Sequence, residues 1–480
     1  MSVRGCSIIR ILKKAGEASL RTAEHVHFIG IGGYGMSAIA RVMLEMGYKV
    51  TGSDVARQEL TEKLAAKGAQ IYIGHRPEHV RGADLVVYST ALPKDNVERV
   101  EAETLNIPTL HRAEMLARLL NDRKGIAVAG AHGKTTTSSM IALVMETCGL
   151  DPTYIIGGEI VNVGTNAKAG KGEYVVAEAD ESDGSFLQYR PAIAVVTNIE
   201  ADHLENYGGD FGKLKEAYAE FLGHVRPDGC AVVCVDDENV RSVLARAHIS
   251  RTITYAIRER ADYMAADIEL GDRYASYTVV RSGERLGTIR LSVPGLHNVY
   301  NSLAAAAVCL EAGVPFEQIA EAIVEFRGAK RRFQVIGEVD GVLVVDDYAH
   351  HPTEIEATIQ AAKATGRRII AVFQPQRYSR TYFLLDAFSR AFKDADEVIV
   401  TDIYSPAGEK RIEGVHSRKL AELIERNSNS NVAYVPTKEE ARDLLAARVA
   451  PGDLVLTMGA GDIYKAADGL VRLLRERRNA

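Results

Sequence analysis

No apolar run in this chain of 480 residues approaches the roughly 18 residues that a membrane-spanning helix requires. Cysteine is scarce: Cys6, Cys148, Cys230, Cys234 and Cys309 are few, odd in number and mostly set within apolar segments, which fits a reducing cytoplasm rather than a disulfide framework. Cys230 and Cys234 share the strand-like "CAVVCV", where both thiols face one side, and they read as buried core rather than a metal site. An excess of basic residues is missing too. Net charge is −6, so nucleic acid and anionic membranes find no bulk attraction and any phosphate chemistry has to be local. Internal repeats and low-complexity tracts are absent. Near the N-terminus, charges interrupt "SIIRILKK" before a signal-peptide apolar region of ~7 residues forms, and residues 1–21 read as a frayed or helical extension.

What the chain does have is the composition of a folded α/β protein. Apolar residues make up 46% and charged residues 25%, near the globular average. At ~150 residues per domain the length predicts about three domains. Three blocks follow, each opening on a strand-like run, then glycine, then a helix-like stretch. The first, 22–121, contains "HVHFIGIGG", "KVTGSD" and "LVVYST" between helical segments, an alternation that predicts a parallel sheet. The second, 122–330, opens on "GIAVAGAHGKTTT" and continues through "YVVAEAD", "AIAVVTNIEADH" and "CAVVCV". Its later part, 252–293, is rich in Tyr, Thr and Val with turns at "GD" and "SGE", predicting antiparallel ribbons. A helix over "NSLAAAAVCLEAG", stopped by Gly313, comes next. The third block, 331–480, opens on "RRFQVIGEVDGVLVVDDYAHHPTE" and carries strands "RIIAVFQ", "EVIVTD" and "LVLTMGAG".

The stretch "AVAGAHGKTTTSSM" looks like a phosphate loop with its first half missing. Gly133, Lys134 and Thr135 complete a G-x-x-x-x-G-K-[ST] pattern, but Val128 stands where its first glycine belongs. In such a loop backbone amides and the positive end of a helix face phosphate oxygens, the lysine reaches the terminal phosphates and the threonine hydroxyl holds Mg2+. The bland alternative is a tight strand-to-helix turn. Against it, the next strand ends in "EADESD", crowding Glu178, Asp180, Glu181 and Asp183 at a carboxyl end, where open α/β sheets bind ligands and a hard cation finds oxygens. The strand after that ends in "NIEADH" and adds His203.

In the first block Gly30, Gly32 and Gly35 form G-x-G-x-x-G after a strand, with Asp54 about 20 residues beyond, as in the dinucleotide fingerprint. Two ligands satisfy it: a nicotinamide dinucleotide, making the chain a dehydrogenase, or a UDP-sugar, which also offers a pyrophosphate and ribose hydroxyls. In the third block Asp346, Asp347, His350, Arg377 and Arg380 follow two strands. Singly these are surface ion pairs; together at one sheet edge they form a site in which arginine takes carboxylate or phosphate in bidentate fashion.

The ordered series "GIGGYGMS", "YSTALPKDN", "GAHGKTTT", "EADESD", "NIEADHLENYGGDF", "GLHNVYNSLAA", "RRFQ", "DDYAHHPTE" and "FQPQRYSRT" resembles the Mur ligases of peptidoglycan synthesis over residues 22–480. The shortened G-x-H-G-K-T loop of that family resembles the one here, with Ala131 in place of the more familiar Thr or Ser. The resemblance implies an α/β protein of three domains: a Rossmann-like N-terminal domain for a UDP-sugar, a P-loop ATPase-like central domain with a parallel sheet plus antiparallel ribbon for ATP and Mg2+, and a Rossmann-like C-terminal domain for an amino acid. It is strongest toward the members that join L-alanine to UDP-N-acetylmuramate, acting in the cytoplasm as a monomer or homodimer. A family member that attaches a preformed tripeptide to the same UDP-sugar is the nearest alternative.

By the same resemblance Lys134 stabilises the transferring phosphoryl group, and Thr135, Glu178 and His203 are the magnesium ligands. Gly130, Ala131, His132, Gly133, Thr136, His297, Asn298, Asn301, Arg332 and Asp346 contact ATP, the last at the ribose. Gly30, Gly32, Gly33, Gly35, Ser53, Asp54, His75, Ser89 and Thr90 take the UDP-sugar, while His350, Arg377 and Arg380 hold the amino acid and the tetrahedral intermediate. The carbamylated lysine of sister ligases has no counterpart in "EAYAEFLGHV".

Overall fold

A computed structural model of the chain describes residues 23–405 and 409–479. The extension expected over residues 1–21, with Cys6, lies outside the described residues. These group into two compact units. The first runs to Ala261, without 160–163, and includes residues 304–314; the second comprises 160–163, 262–303 and the chain from Pro315 onward.

The N-terminal sheet consists of β1 His25–Ile29, β2 Lys49–Asp54, β3 Gln70–Ile73, β4 Leu85–Tyr88 and β5 Thr109–His111, in the order β3-β2-β1-β4-β5. All its neighbours are parallel. Every residue of β1 is buried, as expected of a strand covered on both faces. The chain leaves β1 through the first glycine loop into the helix Tyr34–Glu45, whose Met36, Ile39, Ala40 and Met43 recur at helical spacing and are buried. Strand order reverses between β1 and β4, so the loop opens at a topological switch point.

In the same unit lie β6 Lys124–Ala129, β7 Thr153–Ile160, β8 Thr165–Lys168, β9 Tyr174–Glu178, β10 Ile193–Val196, β11 Cys230–Cys234 and β12 Thr252–Ala256, in the order β12-β11-β10-β6-β9-β7-β8. Parallel neighbours β9 and β10 flank β6, so "EADESD" and "NIEADH" emerge on either side of the phosphate loop. Cys230 and Cys234 of β11 and Cys309 are buried, while Cys148 is partly exposed.

One expectation is corrected. The ribbon predicted over 252–293 does not include β12, which pairs in parallel with β11. The helix Glu238–Leu244 intervenes between those strands, making a crossover rather than a hairpin, and parallel neighbours require that longer connection. The antiparallel ribbon is confined to the second unit, as β13 Tyr263–Leu270, β14 Ala275–Arg281 and β15 Glu284–Leu291.

The second unit also contains β16 Gln334–Val339, β17 Val342–Asp347, β18 Arg368–Phe373, β19 Glu397–Val400, β20 Val432–Tyr434 and β21 Asp453–Met458, in the order β16-β17-β21-β18-β19-β20. Only β16 runs antiparallel to its neighbour. Helices cover both faces, Ile355, Phe388 and Leu420 on one, Leu445, Leu470 and Leu474 on the other. No helix among the described residues is long and apolar enough to cross a membrane.

Candidate active site

Val128, the residue at the missing-glycine position, lies inside β6, paired with Glu178 of β9 and Val195 of β10. The turn starts later, at Gly130, with φ +135°, where an added Cβ would come within 2.0 Å of the Thr197 hydroxyl oxygen. Gly133, with φ 84°, caps the helix Lys134–Thr147 and offers its first turn no side-chain cap. Amides without an intrahelical or side-chain partner are what an anion takes at a helix N-terminus.

The loop is braced from β10. The Ala131 amide donates to the Asn198 carbonyl at 3.2 Å, and the His132 amide donates to Asn198 Oδ1 at 2.9 Å. Thr197 Oγ1 and Asn198 Nδ2 donate to the His132 carbonyl at 2.6 and 3.0 Å. Sequence reasoning passed over Thr197 and Asn198 although both stand in "TNIEADH"; their signal was their place after a buried strand.

Lys134 folds back over its own loop. Its ammonium donates to the Gly130 carbonyl at 2.5 Å and to both carboxylate oxygens of Glu181 at 3.0 Å. Burial opposes the charge on Lys134, but Glu181, Asp180 and Glu178 outweigh it and raise its pKa. Burial likewise opposes ionisation of Asp180, yet Lys134, the Ser182 hydrogen bonds and His203 bring it below the ordinary aspartate value. Lys134, Glu178, Asp180, Glu181 and His203 thus interact electrostatically around one sheet edge. Thr135 and Thr136, in the first turn, are 8% exposed. Glu178 accepts the Gly157 amide at 2.5 Å; His203 takes a left-handed conformation, φ 55°, and its amide donates to Asp202. An uncapped helix N-terminus, a lysine and a hard-oxygen cluster suit a nucleotide polyphosphate with a divalent cation.

At the first loop, the Gly30 and Ile31 amides both donate to the Ser53 carbonyl, at 2.8 and 3.0 Å, and the Gly33 amide donates to the Gly30 carbonyl. Asp54 accepts the Gly32 amide at 2.8 Å and Gln58 Nε2 at 3.2 Å, so the carboxylate that the fingerprint reserves for ribose is engaged with its own loop. A Cβ on Gly35 would lie 3.2 Å from the Arg112 guanidinium. Ser89 is half-buried and Thr90 exposed after β4.

Ser53 and His75 belong to a network missed in the sequence. Its hub is Glu98, fully buried, which accepts from Ser53 Oγ at 2.5 Å and the Arg76 amide at 3.1 Å. Ring nitrogens of His79 and His27 lie 2.7 and 3.3 Å from its oxygens, and His75 Nδ1 lies 3.0 Å from Ser53 Oγ. Burial pushes the Glu98 carboxyl up, but hydrogen bonds from His27, Ser53 and His79 bring it down to about 2. Its surroundings "NVERV" read as an ordinary exposed helix start, which hid it.

In the second unit, Arg332, Glu354, His350 and Arg380 cluster beyond β17 and β18. His350 Nδ1 lies 2.9 Å from the Tyr348 carbonyl and 3.2 Å from Glu354, which also pairs with Arg332 at 3.5 Å. Burial brings His350 down to about 4, opposed by Glu354 and assisted by Arg380. His297 is brought to about 4 by burial and Arg332. Burial pushes Asp347 up to about 6, against Arg332. Arg380 is buried, while Arg377 is exposed and holds φ 68°, ψ 134°, a conformation costing a β-carbon residue about 1–3 kcal/mol and concentrated at functional sites.

Three expected ATP contacts also have partners within the protein. Asp346 is 0% exposed and accepts from Arg331 Nε at 2.8 Å with one oxygen and from the Thr457 hydroxyl at 2.7 Å with the other. Asn298 Nδ2 donates to the Pro294 carbonyl at 2.7 Å, and Asn301 Nδ2 donates to Asn298 Oδ1 at 3.3 Å. These amides brace the start of the helix Leu296–Glu311.

Two glycine loops at sheet edges, one with a phosphate-loop lysine among carboxylates, define a P-loop nucleotide enzyme with a second anion-binding domain. The profiles that match are those of the Mur ligase family, catalytic domain, over residues 25–124, the Mur ligase middle domain over 128–309, and the Mur ligase, glutamate ligase domain over 331–461. A UDP-N-acetylmuramate--L-alanine ligase of Pelotomaculum thermopropionicum is 51% identical across 94% of this chain and 98% of its own. The crystal structure of a UDP-N-acetylmuramate-alanine ligase from Thermotoga maritima superposes with a TM-score of 0.79 at 30% identity, covering 95% of this chain and 100% of that one. A murein peptide ligase from Psychrobacter arcticus gives 0.67 at 25% identity, covering 94% and 98%. The chain belongs to the Mur ligase family, whose members are ATP-dependent.

Proposed function

We propose that the chain joins L-alanine to UDP-N-acetylmuramate in the cytoplasm, with residues 22–121 taking the UDP-sugar, 122–330 ATP and 331–480 the amino acid. The observation that carries the chemistry is the β9-β6-β10 edge, where Lys134 stands among carboxylates in front of an uncapped helix. A lactyl carboxylate oxygen attacks the γ-phosphorus of ATP, and ADP leaves with the bridging oxygen. Lys134 offsets the charge on the moving phosphoryl group, the main task a protein has in such a transfer. The alanine nitrogen then attacks the acyl phosphate carbon; the C–O bond to phosphate breaks, phosphate departs with that oxygen, and the nitrogen loses a proton.

Thr135, Glu178 and His203 would hold Mg2+, which supplies positive charge to phosphate oxygens. Arg377 and Arg380 take the carboxylate of L-alanine in bidentate fashion. His350, kept neutral by burial, stands beside Arg380 without adding a competing cation. Phosphate release is the test: it should require ATP, UDP-N-acetylmuramate and L-alanine together, with the tripeptide a poor substitute. Release that persists without L-alanine, or with the tripeptide alone, overturns the assignment.

A further inference from the structure

Glu181 has no place in the mechanism above, yet it holds the phosphate-loop lysine with both carboxylate oxygens. Its side chain is 4% exposed, and both its oxygens lie 3.0 Å from the Lys134 ammonium. The Tyr207 hydroxyl donates to its backbone carbonyl at 2.5 Å, and Asn206 Nδ2 donates to the neighbouring Ser182 carbonyl at 2.6 Å, so the segment is fastened from outside. A buried carboxylate is tolerable only while paired, and an ammonium has three protons to give. Here Glu181 and the loop carbonyls of Gly130 and Ala131 receive them. Terminal phosphates approaching this loop meet a lysine that already has partners.

We propose that Glu181 is a positioning residue that holds Lys134 in the nucleotide-free loop and competes with the incoming phosphates for it, setting the affinity for ATP and returning the lysine when ADP leaves. This deepens the reading of the loop as the ATP site and rests on it. Glu181 touches the lysine, and the lysine touches the nucleotide; no bond is made or broken at Glu181.

The test is calorimetric titration of the full-length chain with ADP and with a non-hydrolysable ATP analogue, in chelator so that no metal contributes. Glu181→Gln should bind both about tenfold more tightly than the unaltered chain. Glu181→Asp keeps the charge but shortens the reach, and it should shift affinity in the same direction by several-fold. It also serves if the glutamine variant fails to fold. The KM for ATP should fall in both variants. Unchanged or weaker binding by Glu181→Gln overturns the proposal. So does an aspartate variant that binds like the unaltered chain, since the effect would then be a general field rather than the contact with Lys134. Absence of nucleotide binding by the unaltered chain with Mg2+ restored would remove the ATP-site reading itself, a separable result.

Discussion

At the scale of the residue, two charges of the first unit, Lys134 and Glu98, differ in kind. Lys134 is held by groups that a ligand can replace, and its loss should be felt first in nucleotide binding and turnover. Lys134→Ala is expected to lower turnover on the order of 10^2-fold or more while leaving calorimetric affinity for UDP-N-acetylmuramate nearly unchanged, because the two glycine loops belong to different sheets. Near-normal turnover would remove Lys134 from the reaction.

Glu98 is held by groups of the fold itself, and its loss should be felt in stability. Its folded pKa of about 2 lies below the ordinary value of 4.5, so the native state favours the ionised form. That contribution is complete above the unfolded value and disappears as pH falls through the folded one; it amounts to on the order of 3 kcal/mol. Glu98→Gln should therefore lower the denaturant midpoint at pH 7, with a difference that narrows between about pH 4.5 and 2. A difference independent of pH would mean that packing, not charge, is at stake. This hub was invisible in sequence because it depends on His27, Ser53 and His79 meeting from three different elements. Glu178, Lys134 and His203, by contrast, could be read from strand ends alone.

At the scale of the element, a phosphate loop lacking its first glycine is explained by strand register. β6 continues through Val128, and the special backbone is displaced to Gly130. Gly130→Ala places a Cβ where φ is +135° and the Thr197 hydroxyl lies 2.0 Å away, so the loop must move off its brace. We expect a stability loss of about 1–3 kcal/mol and loss of detectable ADP binding, measured by thermal unfolding and calorimetry. Retained ADP affinity would show that the brace is dispensable.

The fully or almost fully buried strands β1, β2, β6, β9 and β10 were legible because apolar runs bounded by glycine and carboxylates have few other meanings. β3, β5 and β20 were not, being only 4, 3 and 3 residues long and incompletely buried. β12 was assigned to the wrong pairing because parallel and antiparallel partners leave the same Thr and Tyr signature. Asp346 was readable at its strand end, while its partner Arg331 was not.

At the scale of the whole molecule, the two glycine loops make a statement about independence. Each is built within its own sheet, so the sugar nucleotide should bind without ATP. Calorimetric titration with UDP-N-acetylmuramate in the absence of nucleotide is expected to saturate, and NADH is not expected to bind comparably. The loop sees only pyrophosphate, so discrimination rests on the base pocket around Ser53, Asp54, Ser89 and Thr90, which must accept a uracil edge rather than adenine. NADH binding tighter than the UDP-sugar would return the dehydrogenase reading to the first domain.

The buried cysteines of the central sheet bear on how the enzyme can be watched. Burial pushes the Cys230 and Cys234 thiols up to about 11 and about 12, and Cys309 higher still. A thiol is alkylated only as thiolate and only when reached, so these three are silent to reagent until their strand or helix parts from its neighbours. Once Cys6 is replaced by serine, Cys148 is the thiol expected to react at once, and each slower modification becomes a clock for the opening of β11 or of the helix Leu296–Glu311. Saturating ATP should slow those clocks if the P-loop sheet tightens around its ligand. The labelling pattern, resolved by mass spectrometry, would then report on the same molecule in which turnover is measured.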